Sequence, residues 1–283
     1  MFKKEFFLGS GATFCLFLTI YIGSQLVTGQ TAAQAEKPDL SYQISGILYT
    51  QKSAEYRALA YQAYNLARWQ LDADFDKKNV KKLPKAERKR ARAIVVDIDE
   101  TVLDNSPSNA LGAVNNRPFN TTDWYAWSKL QSAEPVPGAV DFVNYAVAKG
   151  VKIFYISNRD EVQKADTIEN LKKKGFNDVS TENVMLRVAG ASPKGPRRDI
   201  VAAKYRIVLL MGDNLDDFSS AFEKTPIVAR FAEADRNRDL WGKKFIVLPN
   251  AMYGTWESAL YDFNNGMPES QKAERRVKAL ELP

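Results

Sequence analysis

The chain has 283 residues, a formal net charge of +6, and apolar and charged fractions of 45% and 26%, so it is long enough to bury a sizeable core. It contains no histidine, which excludes Ser-His-Asp and Cys-His catalysis and histidine-containing zinc sites. Acid–base chemistry must therefore come from carboxylates, lysine, tyrosine or a metal-bound water.

The N-terminal residues have the organisation of an export signal. Two lysines precede an uncharged apolar run over 6–27, and the tripeptide Ala-Gln-Ala at 33–35 resembles a signal peptidase site. We predict a signal peptide over residues 1–35 and a periplasmic or secreted protein. The alternative is a retained membrane anchor, since the run has about the ~20 residues that a span needs.

The single cysteine, Cys15, lies within the apolar run. A disulfide within the chain is therefore excluded. Phe14, directly before the cysteine, is too bulky for a lipobox, which disfavours a lipoprotein anchor.

A long helix is predicted over 53–74. Ser53 is a favourable N-cap, and apolar residues recur at helical spacing along one side. The residues expected near the packing face are Tyr56, Leu59, Ala60, Ala63, Leu66, Ala67 and Trp69.

Basic residues are concentrated in the run KKNVKKLPKAERKRAR over 77–92. We interpret this run as a solvated linker or helix. The alternative is steering of anionic substrates, or loose attraction to phosphate-rich surfaces. No aromatic residue is interleaved with these charges, so a nucleic-acid polymer is not a predicted partner.

From residue 93 onward, strand and helix patterns alternate, which predicts an α/β fold with a parallel sheet flanked by helices. The predicted strands cover 93–98, 151–157, 183–187, 206–212 and 245–249, and the predicted helices cover 138–149, 160–174, 197–204 and 216–223. The insert at about 105–137 has no strong period and should form a loop-rich or helical cap. We expect residues 36–283 to form one domain.

Each predicted strand is followed by residues that can do chemistry. They are Asp97 and Asp99, then Ser157, Asn158 and Arg159, then Lys194, then Asp213, Asp216 and Asp217, and finally Tyr253. Any one of them alone is also consistent with a helix cap or a solvated loop. Ligands of such sheets bind beyond the carboxyl ends of the strands, so we expect the set to converge on one edge.

The chemistry of this set favours phosphate. Asp97 and Asp213 would repel each other unless a cation lay between them, and oxygen ligands without Cys or His favour Mg²⁺. Lys194 and Ser157 would supply a positive charge and a hydroxyl donor to phosphate oxygens. Asp97 would be the nucleophile, and Asp99, two residues further on, the general acid and base.

Five strings in the sequence resemble the class C bacterial acid phosphatases, a family of the haloacid dehalogenase (HAD) superfamily that includes lipoprotein phosphatases and 5′-nucleotidases. They are AIVVDIDETVLDNSP, FYISNRD, SPKGPRR, VLLMGDNLDDF and LPNAMYGTWE. The resemblance covers roughly residues 45–270. It implies a HAD-like Rossmannoid sheet, an aspartyl-phosphate intermediate, hydrolysis of small phosphomonoesters such as 5′-nucleotides, NMN or aryl phosphates, and often a homodimer.

The resemblance also implies individual roles. Asp97 and Asp213 would bind Mg²⁺, together with the backbone carbonyl of Asp99. Asp217 would lie behind them and orient Lys194 or a metal-bound water. The resemblance implies that Ser157, Asn158 and Lys194 bind phosphate. It also implies that Trp124 and Tyr253 stack on a base or aryl group, although either aromatic is also consistent with core packing.

Two other functions use the same fold. A non-catalytic exported binding protein would not need the nucleophile, so the intact set argues against it. A HAD phosphotransferase shares the covalent intermediate and stays open as an alternative. A dehalogenase lacks the second aspartate of the first motif, and Asp99 therefore argues against that branch.

Overall fold

A parallel sheet of five strands organises the described part of the protein, which in this computed structural model comprises residues 38–188 and 193–283. The strands, including a separate two-stranded ribbon, are β1 (Arg92–Val96), β2 (Leu103–Asp104), β3 (Glu134–Pro135), β4 (Lys152–Asp160), β5 (Val184–Arg187), β6 (Arg206–Gly212) and β7 (Phe245–Val247). The order in the sheet is β5-β4-β1-β6-β7, and β2 pairs with β3 in antiparallel fashion. The predicted fold class is confirmed.

Helices cover both faces of this sheet. They are α1 (Ile44–Lys52), α2 (Ala54–Phe75), α3 (Lys77–Lys82), α4 (Lys85–Arg88), α5 (Ser106–Val114), α6 (Thr121–Leu130), α7 (Ala139–Ala148), α8 (Lys164–Lys173), α9 (Gly195–Lys204), α10 (Ile227–Arg236), α11 (Thr255–Ser258) and α12 (Glu269–Lys278). The insert at 105–137 was predicted to be either rich in loops or helical. It contains α5 and α6, so the helical prediction is correct. Helices α1, α10, α11 and α12 were not predicted from the sequence.

The central strand β1 shows why both faces are covered. Its side chains alternate between the two sides of the sheet. Ile94 and Val96 belong to a core that includes buried residues of α2, α7 and α8. Ala93 and Val95 belong to a second core on the opposite face, which includes Val201 of α9. Because β1 has apolar side chains on both sides, both faces of its sheet must be covered, and the sheet is the middle layer of a three-layer structure.

Helix α2 forms as the sequence predicts, but its packing face is shifted. The hydroxyl of Ser53 accepts a hydrogen bond from the backbone N–H of Tyr56 at 3.0 Å and caps the helix. The buried residues are Tyr56, Ala60, Ala63, Tyr64, Ala67 and Leu71. The assignment of Leu59 and Trp69 to this face was wrong, since they are 41% and 70% exposed. Tyr64 and Leu71 occupy the interior in their place.

The predicted helix over 216–223 is also wrong. Two short 3₁₀ turns, Leu215–Asp217 and Ser220–Phe222, occupy this stretch. The carboxylate of Asp217 accepts a hydrogen bond from the backbone N–H of Asn214 at 3.0 Å. Such local side-chain bonds compete with the hydrogen bonds of a continuous helix.

The basic run lies at the edge of the sheet where the strands begin. It forms α3 and α4, two short helices that lead directly into β1. Asp97 lies at the opposite end of β1, about 17 Å away for five extended residues. Screening at physiological salt acts over about 8 Å. The structure therefore disfavours the steering of substrates by this run.

The predicted signal peptide and its alternative as an anchor fall in residues 1–37, outside the described residues. Among the residues that the structure does describe, no helix combines the length and apolar character that crossing a membrane requires.

Asp74, near the end of α2, joins the helix to two strands. Its carboxylate accepts hydrogen bonds from Arg92 of β1 at 2.6 Å and from Arg206 of β6 at 2.6 and 2.7 Å. Burial alone raises the pKa of Asp74, but the bonds from Arg206 and Arg92 outweigh it, and the net pKa lies below the ordinary value of 3.8.

We expect Asp74→Asn to lower the free energy of unfolding by ~2 kcal/mol at neutral pH, because two partly buried guanidinium groups lose their counter-charge. Because the pKa of Asp74 is lower in the folded than in the unfolded state, its ion pairs stabilise the fold at pH values above the unfolded pKa. This stabilisation is lost as the pH falls through the folded pKa. The difference from wild type should therefore shrink below about pH 4. Urea unfolding at several pH values measures it. Asp72→Asn, at a more exposed ion pair with Lys149, is the control and should cost at most ~0.5 kcal/mol; equal losses would contradict the prediction.

Candidate active site

Three carboxylates meet where the central strands end. Asp97 directly follows β1, Asp213 directly follows β6, and Asp217 lies in the 3₁₀ turn after β6. Because β1 and β6 are parallel neighbours, their carboxyl ends share one edge. One oxygen from each carboxylate lies within 4.8 Å of the others. This cluster could hold a divalent metal ion.

Lys194 provides a buried positive charge in this cluster. It lies at the N-cap position of α9, directly before the helix. Its ammonium group donates hydrogen bonds to the carboxylates of Asp97 and Asp217, the latter at 2.5 Å. Burial alone lowers the pKa of Lys194, but these two carboxylates outweigh it and raise the pKa above the ordinary value. Lys194 therefore stays charged.

The position of Asp217 depends on Gly212, the last residue of β6. A Cβ at residue 212 would lie 2.2 Å from Oδ2 of Asp217, far inside van der Waals contact. The absence of a side chain lets the turn fold back over the strand end. In the string GDNLDD, the glycine is therefore needed for the path of the backbone, and the aspartates supply the carboxylates.

Asp99 is held apart from the cluster by its own partners. The hydroxyl of Ser157 donates to it at 2.9 Å, and Arg159 donates through Nε and Nη2 at 2.9 and 2.8 Å. Asn105 adds a hydrogen bond at 2.9 Å. Asp99 is therefore oriented by three side chains from β4 and the start of the insert, close to Asp97 but not bound to it.

Burial and mutual repulsion act strongly on the cluster. Burial raises the pKa of Asp97 well above its ordinary value; Lys194 opposes this rise and the neighbouring carboxylates of Asp217 and Asp213 add to it. The pKa of Asp213 is raised to about 7, first by burial and then by Asp217, against a hydrogen bond from Asn250. One ammonium among three carboxylates leaves negative charge that a divalent cation would balance, so the donor set fits a hard metal ion.

Tyr253 reaches the site through a buried glutamate. Its hydroxyl donates a hydrogen bond to Glu100, which is 1% exposed and also accepts from the backbone N–H of Asn105 at 2.8 Å. Burial raises the pKa of Glu100 well above its ordinary value. The ring of Tyr253 is therefore fixed from its hydroxyl end.

Trp124, in α6 of the insert, is connected to the site through Arg159. Its ring lies 5.2 Å from the guanidinium carbon of Arg159, and Phe119 packs beside it with ring centroids 6.3 Å apart. Arg159 in turn binds Asp99. The half-buried Trp124 is thus neither an isolated surface residue nor part of the main core.

The predicted phosphate-binding residues occupy different surroundings. Lys194 is buried at the cluster, and Ser157 is buried with its hydroxyl directed to Asp99. Asn158 is exposed, and its side-chain oxygen accepts a hydrogen bond from Arg197 at 2.7 Å. Arg197 also donates to the backbone carbonyl of Ser157 at 2.5 Å, which joins the end of β4 to α9.

Sequence reasoning assigned no role to several residues that shape the site: Glu100, Asn105, Arg159, Arg197, Arg198 and Asn250. Arg198, for example, donates to the backbone carbonyls of Asp216 and Asp217 at 2.9 and 3.0 Å. All six lie inside the strings that carry the resemblance. Their position in these strings was the available sign of a role at the site. The spacing of residues in the sequence does not reveal a residue that acts by positioning a neighbour.

Comparisons with known proteins identify the family to which the chain belongs. Residues 13–256 match the family model described as the HAD superfamily, subfamily IIIB (acid phosphatase). The chain belongs to this family, and the resemblance seen in the sequence is confirmed. Family and fold together place it among the phosphoric monoester hydrolases, which act on small-molecule phosphates.

The structure is similar to the class C acid phosphatase from Bacillus anthracis. The two share 36% sequence identity with a TM-score of 0.79, over 86% of this chain and 98% of that one. A second structure of that enzyme, with tungstate bound, matches with the same values. Acid phosphatase 1 from Solanum lycopersicum is 26% identical over 130 residues, which are 44% of this chain, and the chain spans half of that relative's length.

We expect Lys194→Met to destabilise the metal-free protein by ~3 kcal/mol at pH 7.5, because Asp97 and Asp217 would face each other without a cation. Urea unfolding in EDTA measures this loss. Lys204→Met, at the exposed far end of the same helix, is the matched control and should change the free energy of unfolding by less than ~0.5 kcal/mol. A Lys194 variant as stable as the control would show that Lys194 does not hold the carboxylates together.

Proposed function

We propose that the protein is an exported, Mg²⁺-dependent acid phosphatase that hydrolyses phosphomonoesters through an aspartyl-phosphate intermediate. One observation carries this proposal: the buried pair of Asp97 and Lys194 at a strand end, with Asp213 beside it and Asp99 held separately by Arg159. A nucleophile, a cation for phosphate oxygens and an independent acid are thereby available at one edge.

The two aspartates divide the reaction between them. A carboxylate oxygen of Asp97 attacks phosphorus and forms an acyl phosphate, while the bond to the leaving oxygen breaks. Asp99 gives its proton to that oxygen. In the second step Asp99 takes a proton from water as the water oxygen attacks phosphorus, which releases phosphate and regenerates Asp97.

The metal would be held by Asp97 and Asp213 with the carbonyl of Asp99. When bound, Mg²⁺ supplies positive charge that keeps Asp97 ionised and offsets charge on the phosphoryl oxygens. Asp217 already receives hydrogen bonds from Lys194 and from the backbone of Asn214, which supports a role in orienting the lysine.

Phosphate would be bound by Lys194, Ser157 and the segment at Asn158. Ser157 would turn its hydroxyl from Asp99 to a phosphate oxygen, which leaves Asp99 with Arg159 and Asn105. The related Bacillus anthracis enzyme has been solved with tungstate bound, and tungstate is a tetrahedral oxyanion like phosphate. This supports the presence of an oxyanion pocket in the present protein.

The leaving group would be an aromatic one, such as the nucleoside of a 5′-nucleotide, NMN or an aryl group. Tyr253 and Trp124 present aromatic rings that are held by contacts with Glu100 and Arg159, respectively. Stacking on such rings tolerates many bases, because every base has a π-face.

The proposal of export rests on the N-terminal sequence alone, in which a basic start, an apolar run and an Ala-Gln-Ala site succeed one another. N-terminal sequencing of protein recovered outside the cytoplasm would read Glu36 first if the signal is removed, and Met1 if the segment is retained as an anchor.

The direct test is phosphate release from 5′-AMP, 3′-AMP, NMN and p-nitrophenyl phosphate, with Mg²⁺ and with EDTA. We expect release that EDTA abolishes. Asp97→Asn should lower kcat by at least about 10⁴-fold with the fold retained. The control is Asp104→Asn in the same string, where the amide oxygen can still accept the hydrogen bond that Ser106 donates at 2.8 Å. Substantial turnover by Asp97→Asn, or transfer of phosphate only to an added alcohol, would contradict the proposal.

We expect Tyr253→Ala to raise KM for 5′-AMP by about 10- to 100-fold, since base–aromatic stacking contributes ~1–3 kcal/mol. For glycerol 1-phosphate, which has no ring to stack, KM should stay within about twofold. Trp256→Ala, an exposed aromatic three residues away, is the matched control. Equal increases in KM for both substrates would mean that Tyr253 supports the loop instead of binding the leaving group.

A further inference from the structure

The basic run has no part in the chemistry described above, yet it belongs to a larger charged surface. Parallel strands begin at a common edge, and two other segments bring exposed lysines to the start of β6 or β7. We define the basic edge as the ten exposed cations Lys77, Lys78, Lys81, Lys82, Lys85, Arg88, Lys89, Lys204, Lys243 and Lys244.

The position of this edge is fixed by contacts at both ends of the run. Before it, Asp74 binds Arg92 and Arg206 at the starts of β1 and β6. After it, Arg90 donates to the backbone carbonyl of Tyr205 at 2.7 Å, directly before β6. The helices α3 and α4 are therefore held against the amino ends of the central strands.

The charges of the basic edge are largely uncompensated. Within the described residues, one of the ten makes an ion pair, Lys243 with Asp239 at 4.0 Å. Glu87, the acidic residue inside the run, is bound to Arg90. By contrast, the basic residues at the first positions of the strands are paired, such as Arg92 with Asp74 and Lys152 with Asp178. Structural needs thus account for the paired cations. Among the exposed ones, Arg88 has a structural role, since it donates to the backbone carbonyls of Leu83 and Lys81 at 2.8 and 2.7 Å.

The charges of the molecule are consequently divided across the sheet. The carboxylate cluster lies where the strands end, and the ten cations of the basic edge lie where the strands begin. A substrate bound at Asp97 lies beyond the screening distance of these lysines, so attraction of substrate does not explain them.

We propose that the basic edge is a docking surface for a bilayer with anionic headgroups. Clusters of exposed lysines attract such membranes without fixed geometry. No aromatic residue lies among residues 76–91 to stack on a single-stranded nucleic acid. Docked in this way, the protein presents its carboxylate cluster away from the membrane.

The test is flotation of the full chain with vesicles of phosphatidylcholine alone and of an equimolar mixture with phosphatidylglycerol. The readout is the difference between the two, which removes any contribution of the N-terminal run to both. We expect binding to the anionic vesicles that weakens with salt. Replacing Lys77, Lys78, Lys81 and Lys82 by Gln should lower the apparent affinity at least about tenfold.

The control variant removes four charges from exposed lysines elsewhere: Lys52, Lys129, Lys224 and Lys278. It should change the affinity by less than about twofold, and phosphate release should be unchanged in both variants. Equal losses in the two variants would show an effect of net charge alone and overturn the proposal. So would equal binding to both kinds of vesicle, or binding to duplex DNA with no preference for anionic vesicles. The proposal does not rest on the proposed activity, whose failure would appear separately as absence of phosphate release.

Discussion

Repulsion between buried carboxylates is the constraint on which this structure depends. Asp97, Asp213 and Asp217 meet at one edge, and each would be destabilised there without compensation. Lys194 lies between two of them, and buried arginines hold the surrounding loops: Arg159 binds Asp99, and Arg198 binds the backbone at Asp216 and Asp217. The cations thus do two things at once. They make the negative cluster tolerable, and they fix which carboxylate faces which partner.

The same arrangement separates the roles of two aspartates that are neighbours in sequence. Asp97 and Asp99 lie two residues apart, but one faces Lys194 and the carboxylate cluster while the other faces Arg159 and Ser157. Their environments differ in burial and in charge, which is the condition for two carboxylates to act differently in one reaction. The residues that create this difference come from β4 and α9, far along the chain.

Much of this could be predicted from the sequence because strand ends are local features. An apolar run followed by aspartate can be recognised in the amino-acid sequence, and parallel strand pairing then brings Asp97 and Asp213 to one edge of the sheet. What could not be predicted depends on contacts between distant segments. Arg159 orients Asp99 across 60 positions, and Tyr253 is tied to Glu100 across 153. The helix expected over 216–223 failed for a local reason, since Asp217 bonds to its own turn and spacing alone gives no sign of that.

The length of α2 has a consequence for how the protein reaches its native state. The helix runs from Ala54 to Phe75 and buries its apolar face against α7, β6 and β7. The last of these strands is complete only at Val247. An early helix whose partners come so late gives the fold many contacts of large sequence separation, which slow folding. The part of the apolar face of α2 that packs on β6 and β7 therefore stays uncovered until most of the chain has been made.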